Sequence, residues 1–246
     1  METRMIVSLI IMVVLLEGFI IFLFIRYKQG KMDENPLIAV VQKEWKVVYY
    51  SLFKWKTRHI DSPDTFQLHK NTSYFWLFVA LLHEQVIEMA AFHIYLRKED
   101  PAIAYAFSGL HLYSIFYILG DYNWVRNTPV TIRNNFVQMK IGARRELHFH
   151  ISDIDRIERA SIQYDAKGGI IHPDGFHVTA FPRVWTKIFG MTDPLQYEII
   201  FNEPILSKGY FGIKKPVSKA LIYIDQADEL VESLNDKLLL GDVYMK

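Results

Sequence analysis

Two apolar runs, SYFWLFVALLHEQVIEMAAFHIYL (residues 73–96) and AIAYAFSGLHLYSIFYILG (residues 102–120), decide the architecture of this chain. Each is close to the roughly 20 residues that a helix needs to cross the hydrocarbon core of a bilayer. The charged stretch RKEDP (residues 97–101) separates them, and its proline suits the first turn of a new helix. The sequence therefore predicts a helical hairpin that spans a membrane.

Residues 5–25 form a third apolar run, and its length of about 21 residues also suffices to cross a bilayer. A secretory signal peptide is the alternative, but such peptides have an apolar core of roughly 7–15 residues followed by a small-residue cleavage site. Here Arg26, Lys28 and Lys31 follow instead, as in a stop-transfer pattern. We interpret the run as an uncleaved anchor helix that carries Glu17 just past its middle.

The composition agrees with a membrane protein that has a soluble tail. Hydrophobic residues make up 51% of the 246 residues, and most of the excess lies in the three apolar runs. The formal net charge of +1 argues against a nucleic-acid-binding protein of the strongly basic kind. The chain has no cysteine, which excludes disulfides, thiolate nucleophiles and zinc–thiolate sites.

Basic residues are concentrated between the first and second apolar runs. They are Arg26, Lys28, Lys31, Lys43, Lys46, Lys54, Lys56, Arg58 and Lys70. Because Lys and Arg accumulate in cytoplasmic loops, this segment is expected inside the cell. The amino terminus and the turn at residues 97–101 are then outside, and everything after the third span is cytoplasmic. The basic residues Arg97 and Lys98 in the outer turn are a weaker, opposing signal.

Residues 36–56 have the pattern of an amphipathic helix. Apolar residues such as Leu37, Val41 and Val48 alternate with lysines, and tryptophans and tyrosines are interspersed. A helix of this kind either lies in the headgroup region of a membrane or packs as a solvated helix on a soluble domain. The sequence leaves both interpretations open. Residues 58–72 read as a turn-rich connector.

After residue 128 the pattern changes to short strands. The expected strands are residues 130–141, 145–151, 176–181, 197–201, 205–211 and 220–224, with a hairpin turn at Gly142. A final amphipathic helix is expected over residues 227–239. We therefore divide the chain into an anchor and amphipathic segment (residues 1–72), a transmembrane hairpin (residues 73–127) and a β domain closed by a helix (residues 128–246).

The tail resembles bacterial pleckstrin-homology-like domains. FHISDIDRIE (residues 149–158) is similar to their strand followed by Ser-Asp-Ile, and NEPI (residues 202–205) with GYFG (residues 209–212) is similar to the way they end. The whole layout resembles an uncharacterised family of bacterial integral membrane proteins with three helices and such a tail. The resemblance implies a seven-stranded, partly open barrel with a capping helix, used for binding or assembly. It transfers no catalytic residue, and the long segment at residues 161–192 departs from the compact form.

Ionisable residues within the apolar runs need a reason, because charge in hydrocarbon is costly. Their depths along the helices bring five residues to similar levels: Glu17, His83, Glu84, Glu88 and His111. They could hold the helices together by hydrogen bonds, form a proton or ion site, or bind a metal. A zinc-protease helix is not among the options, because the motif beginning at His83 has Ile87 where its second histidine belongs.

The tail contains neither a nucleophile elbow nor a phosphate-binding P-loop. Four basic residues, Arg144, Arg145, Lys214 and Lys215, are expected at the tips of strand connections, where they either contact anionic lipid or are solvated. We expect a non-enzymatic, membrane-tethered module, without a cofactor, that docks a protein partner or anionic lipid at the inner membrane face. The alternative is a proton- or ion-responsive homo-oligomer that uses the Glu/His cluster. An intramembrane metalloenzyme is a third, weaker alternative.

Overall fold

The computed structural model describes residues 2–56, 64–68, 73–161, 173–182, 184–185 and 195–244, and it consists of a helical part and a mostly β part. The helices are α1 (Glu2–Lys28), α2 (Pro36–Phe53), α3 (Tyr74–Glu99), α4 (Pro101–Arg126) and α5 (Ala227–Tyr244). The strands are β1 (Thr65–Phe66), β2 (Val130–Arg133), β3 (Phe136–Ile141), β4 (Arg145–His150), β5 (Ile154–Arg159), β6 (Phe176–Thr179), β7 (Tyr197–Lys208) and β8 (Lys214–Tyr223). Most of the unusual segment at residues 161–192 lies outside the described residues.

Within the described residues, two helices, α3 and α4, are long and apolar enough to cross a membrane. They correspond to the hairpin expected from the sequence. The turn between them is tight because Asp100 caps α4: its carboxylate accepts hydrogen bonds from the backbone N–H groups of Ala102 (2.9 Å) and Ile103 (3.3 Å), and Pro101 begins the helix. Helix α1 covers the first apolar run without a break, but its role as a third span stays a prediction.

The β part is a single sheet with strand order β1-β2-β3-β4-β7-β8-β6, in which β5 also pairs with β7. The mostly β region with a helix at its carboxyl end, which the sequence predicts, is confirmed. The expected strand at residues 130–141 is in fact a hairpin, β2–β3, that turns at Asn134 and Asn135. Both asparagines have positive φ (49° and 62°), as a two-residue hairpin turn requires and asparagine tolerates.

Strand β7 also differs from the expectation. The sequence predicted two strands separated by Pro204, whereas β7 runs continuously through it with an irregularity between Ile200 and Ile205. The pairing partner on one side of β7 changes along the strand. Its first half pairs with β5, and its end meets β4 at Lys208. One long strand therefore joins two sections of the sheet. Strand β1, from the expected connector, adds a further edge by pairing with β2.

The main core of the sheet is closed by α5. Leu230 and Leu234 of this helix are fully buried beside Val137, Ile199 and other inward-facing side chains of the strands. The predicted final helix is thus confirmed, and it is amphipathic for the expected reason: one apolar stripe packs on the sheet while acidic residues face outward.

Helix α2 runs alongside the last turns of α4. The rings of Tyr50 and Trp124 stack with centroids 5.1 Å apart, and Asn123 Nδ2 donates to the carbonyl of Tyr50 (3.2 Å). Gly120 allows this approach, because a methyl group there would overlap the carbonyl oxygen of Val47. The inward face of α2 carries Lys43, Val47 and Ser51, so its more apolar face points away from the protein.

The turn between β3 and β4 packs on the same end of α4. Gly142 has φ +50°, and a side chain at this position would lie 2.9 Å from Cγ2 of Val125. Only glycine satisfies both the backbone conformation and the space. This contact fixes the sheet against α4 and places the next residues, Ala143 and Arg144, against the helix.

The close approach at Gly120 generates a stability prediction. We expect Gly120→Ala to lower the free energy of unfolding by about 1–3 kcal/mol, because the added methyl group forces α2 away from α4. The measurement is thermal and denaturant unfolding of the purified chain in detergent.

Gly109→Ala is the matched control on the same helix, since nothing lies within 4 Å of the added carbon. It should leave the stability unchanged or raise it by about 0.5–1 kcal/mol, because alanine favours helix more than glycine does. Equal stabilities of the two variants would show that α2 and α4 do not pack closely at Gly120.

Candidate functional site

A buried ion pair joins the helical part to the β part. Asp121 lies near the end of α4, and Arg144 lies in the β3–β4 turn; Oδ1 of the aspartate and Nε of the arginine are 3.3 Å apart, and each side chain is only 14% exposed. Tyr74 at the start of α3 donates a hydrogen bond to Oδ2 of Asp121 (2.8 Å). Arg144 Nη2 also donates to the carbonyl of Ala180 (2.7 Å). Four separate segments therefore meet at this pair.

This environment keeps Arg144 charged. Burial by itself lowers the pKa of the guanidinium, but the charge of Asp121 outweighs it, so the pKa stays above its usual value. An arginine that is buried and paired in this way has a structural role. Arg144 was expected at the tip of a strand connection, in contact with lipid or solvated, and the structure instead places it in the junction between the two parts.

Beside this junction lies a cleft between α2 and the β part, with a volume of about 210 Å³. We call it the basic cleft. Its basic lining residues are Lys43, Lys46, Lys140, Arg145 and Lys208. Its acidic lining residues are Asp33, Glu34 and Glu146. Basic residues outnumber acidic ones by five to three, which makes the cleft a better site for an anion than for a cation.

Most of the acidic charge in the cleft is already neutralised. Glu146 pairs with Lys140 (3.0 Å) and with His148, and Asp33 pairs with Lys208 (3.1 Å) and with Lys214. Hydrogen bonds from the two lysines hold the pKa of Asp33 below its usual value. Lys46 and Arg145 add positive charge to the lining, and Lys43 does so when it is protonated.

Lys43 is the unusual residue of the cleft. It is 8% exposed, and its ammonium nitrogen has no hydrogen-bond partner among the described residues. The ammonium lies over the ring of Tyr210 and 5.0 Å from the ring centre of Phe211, so aromatic faces supply part of the lost hydration. Burial lowers the pKa of Lys43 to about 7, against the opposing attraction of Asp121 and Glu44. An anion in the cleft would give this ammonium an acceptor.

The connection between β7 and β8 forms one wall of the cleft and is conformationally strained. Phe211 has φ +64°, which is uncommon for a residue with a large side chain. Its ring packs edge-on against Phe19 of α1, with centroids 5.3 Å apart, and the hydroxyls of Tyr210 and Tyr117 are hydrogen-bonded. Contacts with both α1 and α4 therefore hold the strained backbone over Lys43.

The structure separates the five expected intramembrane polar residues. His111 and Glu88 approach each other (4.0 Å), and Gln85, which the sequence analysis did not single out, lies 3.2 Å from His111. His83 and Glu84 are exposed on α3. Glu17 is exposed on α1, two residues before the contact of Phe19 with the β part.

No group of three or more His, Asp or Glu side chains that could hold a metal ion occurs in the part of the chain that the structure describes. Gln85 is hydrogen-bonded to both Glu88 and His111, so these three side chains form a polar contact between α3 and α4. It has the geometry of a polar contact that joins two apolar helices.

The remaining three expected lipid-contact residues lie in different surroundings. Arg145 lines the basic cleft, Lys214 pairs with Asp33 at its edge, and Lys215 is exposed to solvent. Lys43 was missed as a site residue because it was assigned to the solvated face of α2. Its spacing of four residues from Val47 places it on the face that packs against α4, and this is the signal that could have found it.

Comparison of the chain with protein-family models, with curated proteins and with solved structures gives no match in any of the three.

The junction can be tested by breaking its ion pair. We expect Asp121→Leu or Arg144→Met alone to lower the free energy of unfolding by about 3–5 kcal/mol, because each leaves one buried group without its partner. The double variant Asp121→Leu/Arg144→Met should be less destabilised than either single variant. Denaturant unfolding in detergent measures all three, and additive losses would contradict an interaction between the two side chains.

Proposed function

We propose that this protein is a membrane-anchored binding module in which the basic cleft holds the phosphate-bearing headgroup of an anionic lipid at the inner face of the membrane. Helices α1, α3 and α4 lie in the bilayer, and the sheet with α5 lies in the cytoplasm. The observation that carries the proposal is Lys43: a buried ammonium without a hydrogen-bond acceptor among the described residues, in a cleft where basic residues are in excess.

The outward face of α2 supports a position at the membrane surface. Trp45 (73% exposed) and Phe53 (71%) are the most exposed large apolar residues of this helix. They share the face with Leu37, Ile38, Val41, Val48, Tyr49 and Leu52. A large apolar face that points away from the protein is suited to contact lipid, and because α2 runs alongside α4 from Tyr113 to Asn127, this face would contact the inner leaflet. The cleft opens beside this helix, where a headgroup would be.

The orientation follows from charge. Basic residues flank the cytoplasmic ends of the proposed spans, with Arg26 and Lys28 in the last turn of α1 and Arg126 in the last turn of α4. The positive-inside rule then puts the amino terminus and the α3–α4 turn outside. The basic residues in the last turn of α3, Arg97 and Lys98, oppose this assignment and are fewer than those in the segment between α1 and α3.

The resemblance of the tail to pleckstrin-homology-like domains supports a binding role over an enzymatic one. Domains of that kind serve as binding or assembly modules, and the sheet with its closing helix is compatible with such a role. On this proposal the helices set the location of the protein and the cleft provides recognition.

Removal of the Lys43 charge tests the proposal. The full chain is placed in phosphatidylcholine nanodiscs, short-chain phosphatidylglycerol is titrated in, and bound lipid is counted by native mass spectrometry. We expect Lys43→Gln to weaken binding about tenfold or more, because a hydrogen bond to a charged group is lost.

Lys215→Gln is the matched control, since Lys215 is an exposed lysine of the same β part outside the cleft. It should bind phosphatidylglycerol like the unaltered chain. Equal affinities for the Lys43 and Lys215 variants would refute the cleft as the headgroup site. Displacement of the lipid by millimolar inorganic phosphate would identify a free phosphate compound as the ligand, and a stoichiometric protein retained in place of lipid would identify a protein partner.

The lowered pKa of Lys43 gives the site a pH dependence. An anion binds the protonated form, and the free protein loses this proton as the pH rises through about 7. Affinity should therefore fall between pH 6.5 and 8.5, roughly tenfold per pH unit at most.

Lys43→Arg keeps its charge over this range, so its affinity should be nearly independent of pH. The same titrations are made in a His148→Gln background, because His148 is a second ionisable side chain that pairs with Glu146 at the cleft. A flat profile for the chain with Lys43 intact would contradict the role of this ammonium.

A further inference from the structure

One face of α3 has no partner among the described residues. Helix α3 meets α4 through Gln85, Glu88 and His93, which contact His111 and Ser108. The opposite face is exposed along its whole length. Its residues are Trp76, Ala80, His83, Ile87, Ala90 and Ile94, and we call them the α3 seam.

The spacing within the α3 seam alternates between four and three residues. That is the heptad spacing of two helices that coil around each other in a left-handed sense. Ala80 and Ala90 are small enough to let two backbones approach, and Ile87 and Ile94 are β-branched residues that recur at one heptad position. Packing against α4 does not account for this spacing, because α4 contacts the opposite face of α3.

His83 and Glu84 add a polar group to the seam. Both are exposed on α3, and neither has a described hydrogen bond or ion pair. In a bilayer these two side chains would face hydrocarbon, where a polar group without a partner is costly. A polar residue within a heptad seam commonly fixes the register of the two helices. A partner of the α3 seam should therefore have polar groups at the same depth in the bilayer as His83 and Glu84.

A second copy of the chain meets this requirement. All copies insert in the same orientation, so two parallel α3 helices place His83 of one beside His83 and Glu84 of the other at equal depth. An imidazole and a carboxyl group are complementary as donor and acceptor, and the pair is repeated by the two-fold axis. Charge complementarity is thus satisfied by two identical faces.

We propose that two copies of this protein associate in the membrane through the α3 seam, as a parallel left-handed helix pair with His83 and Glu84 hydrogen-bonded between copies. The inference rests on α3 lying in a bilayer, which is part of the proposed function, but not on the basic cleft. A dimer would place two clefts on the same membrane surface.

The absence of cysteine from the sequence allows a direct test. A single cysteine is introduced by Ile87→Cys in the seam, and membranes that contain the full chain are treated with a copper–phenanthroline oxidant. A disulfide requires Cα atoms about 4.4–6.8 Å apart, so only residues in the helix contact should link. We expect a disulfide-linked dimer. Leu110→Cys on α4 is the matched control: it is 62% exposed, against 53% for Ile87, and lies within one turn of the level of Gln85.

A second measurement examines the polar pair without cysteine. Native mass spectrometry of the chain in nanodiscs should show a dimer. Glu84→Leu should weaken it by roughly threefold to tenfold, whereas Glu84→Gln should retain it because glutamine still hydrogen-bonds.

Three outcomes would overturn the proposal: a monomer in nanodiscs, equal cross-linking of Ile87→Cys and Leu110→Cys, or a link from Ile87→Cys to a different protein. Cross-linking that is unaffected by Lys43→Gln would separate this inference from the proposed lipid site, since loss of lipid binding would then leave the dimer intact.

Discussion

The buried pair of Asp121 and Arg144 is the constraint on which the arrangement of the protein depends. It lies where the end of α4 meets the β3–β4 turn, and Tyr74 connects it to the start of α3. A buried charge must be paired closely to be tolerated, so the sheet has little freedom to turn or slide relative to the helices. The basic cleft exists because this junction holds the sheet beside α2 at a fixed distance.

The orientation of helix α2 follows from the same arrangement. Its inward face is fixed by Gly120 and Trp124 of α4, which leaves Lys43 buried and Trp45 exposed. In a protein surrounded only by water this orientation would be unfavourable, since a lysine is buried while a tryptophan faces outward. At a membrane surface it becomes reasonable, because the apolar face contacts lipid and the buried lysine can meet an anionic headgroup. The proposed function thus explains a feature that folding alone would not favour.

The sequence predicted elements better than it predicted contacts. The helices, the mostly β tail and its closing helix were expected from apolar periodicity, and each has the expected type. The strand boundaries were less accurate: the turn at Asn134 and Asn135 interrupts an apolar run, and β7 continues through Pro204 because its irregular section does not need the missing N–H. The candidate site was only partly predictable. Arg144, Arg145 and Lys214 were candidates either for lipid contact or for solvation; Arg145 and Lys214 lie at the basic cleft, whereas Arg144 lies in the junction.

The sequence by itself determined the helices, the mostly β character of the tail and the apolar length of α3 and α4, because these properties depend on neighbours within a few turns. Tertiary structure alone decided that Lys43 is buried without an acceptor among the described residues, that Asp121 meets Arg144, and that His111 meets Gln85. Each of these facts depends on which faces of distant segments meet. Periodicity defines the faces of a helix, but tertiary packing determines which other segments those faces contact.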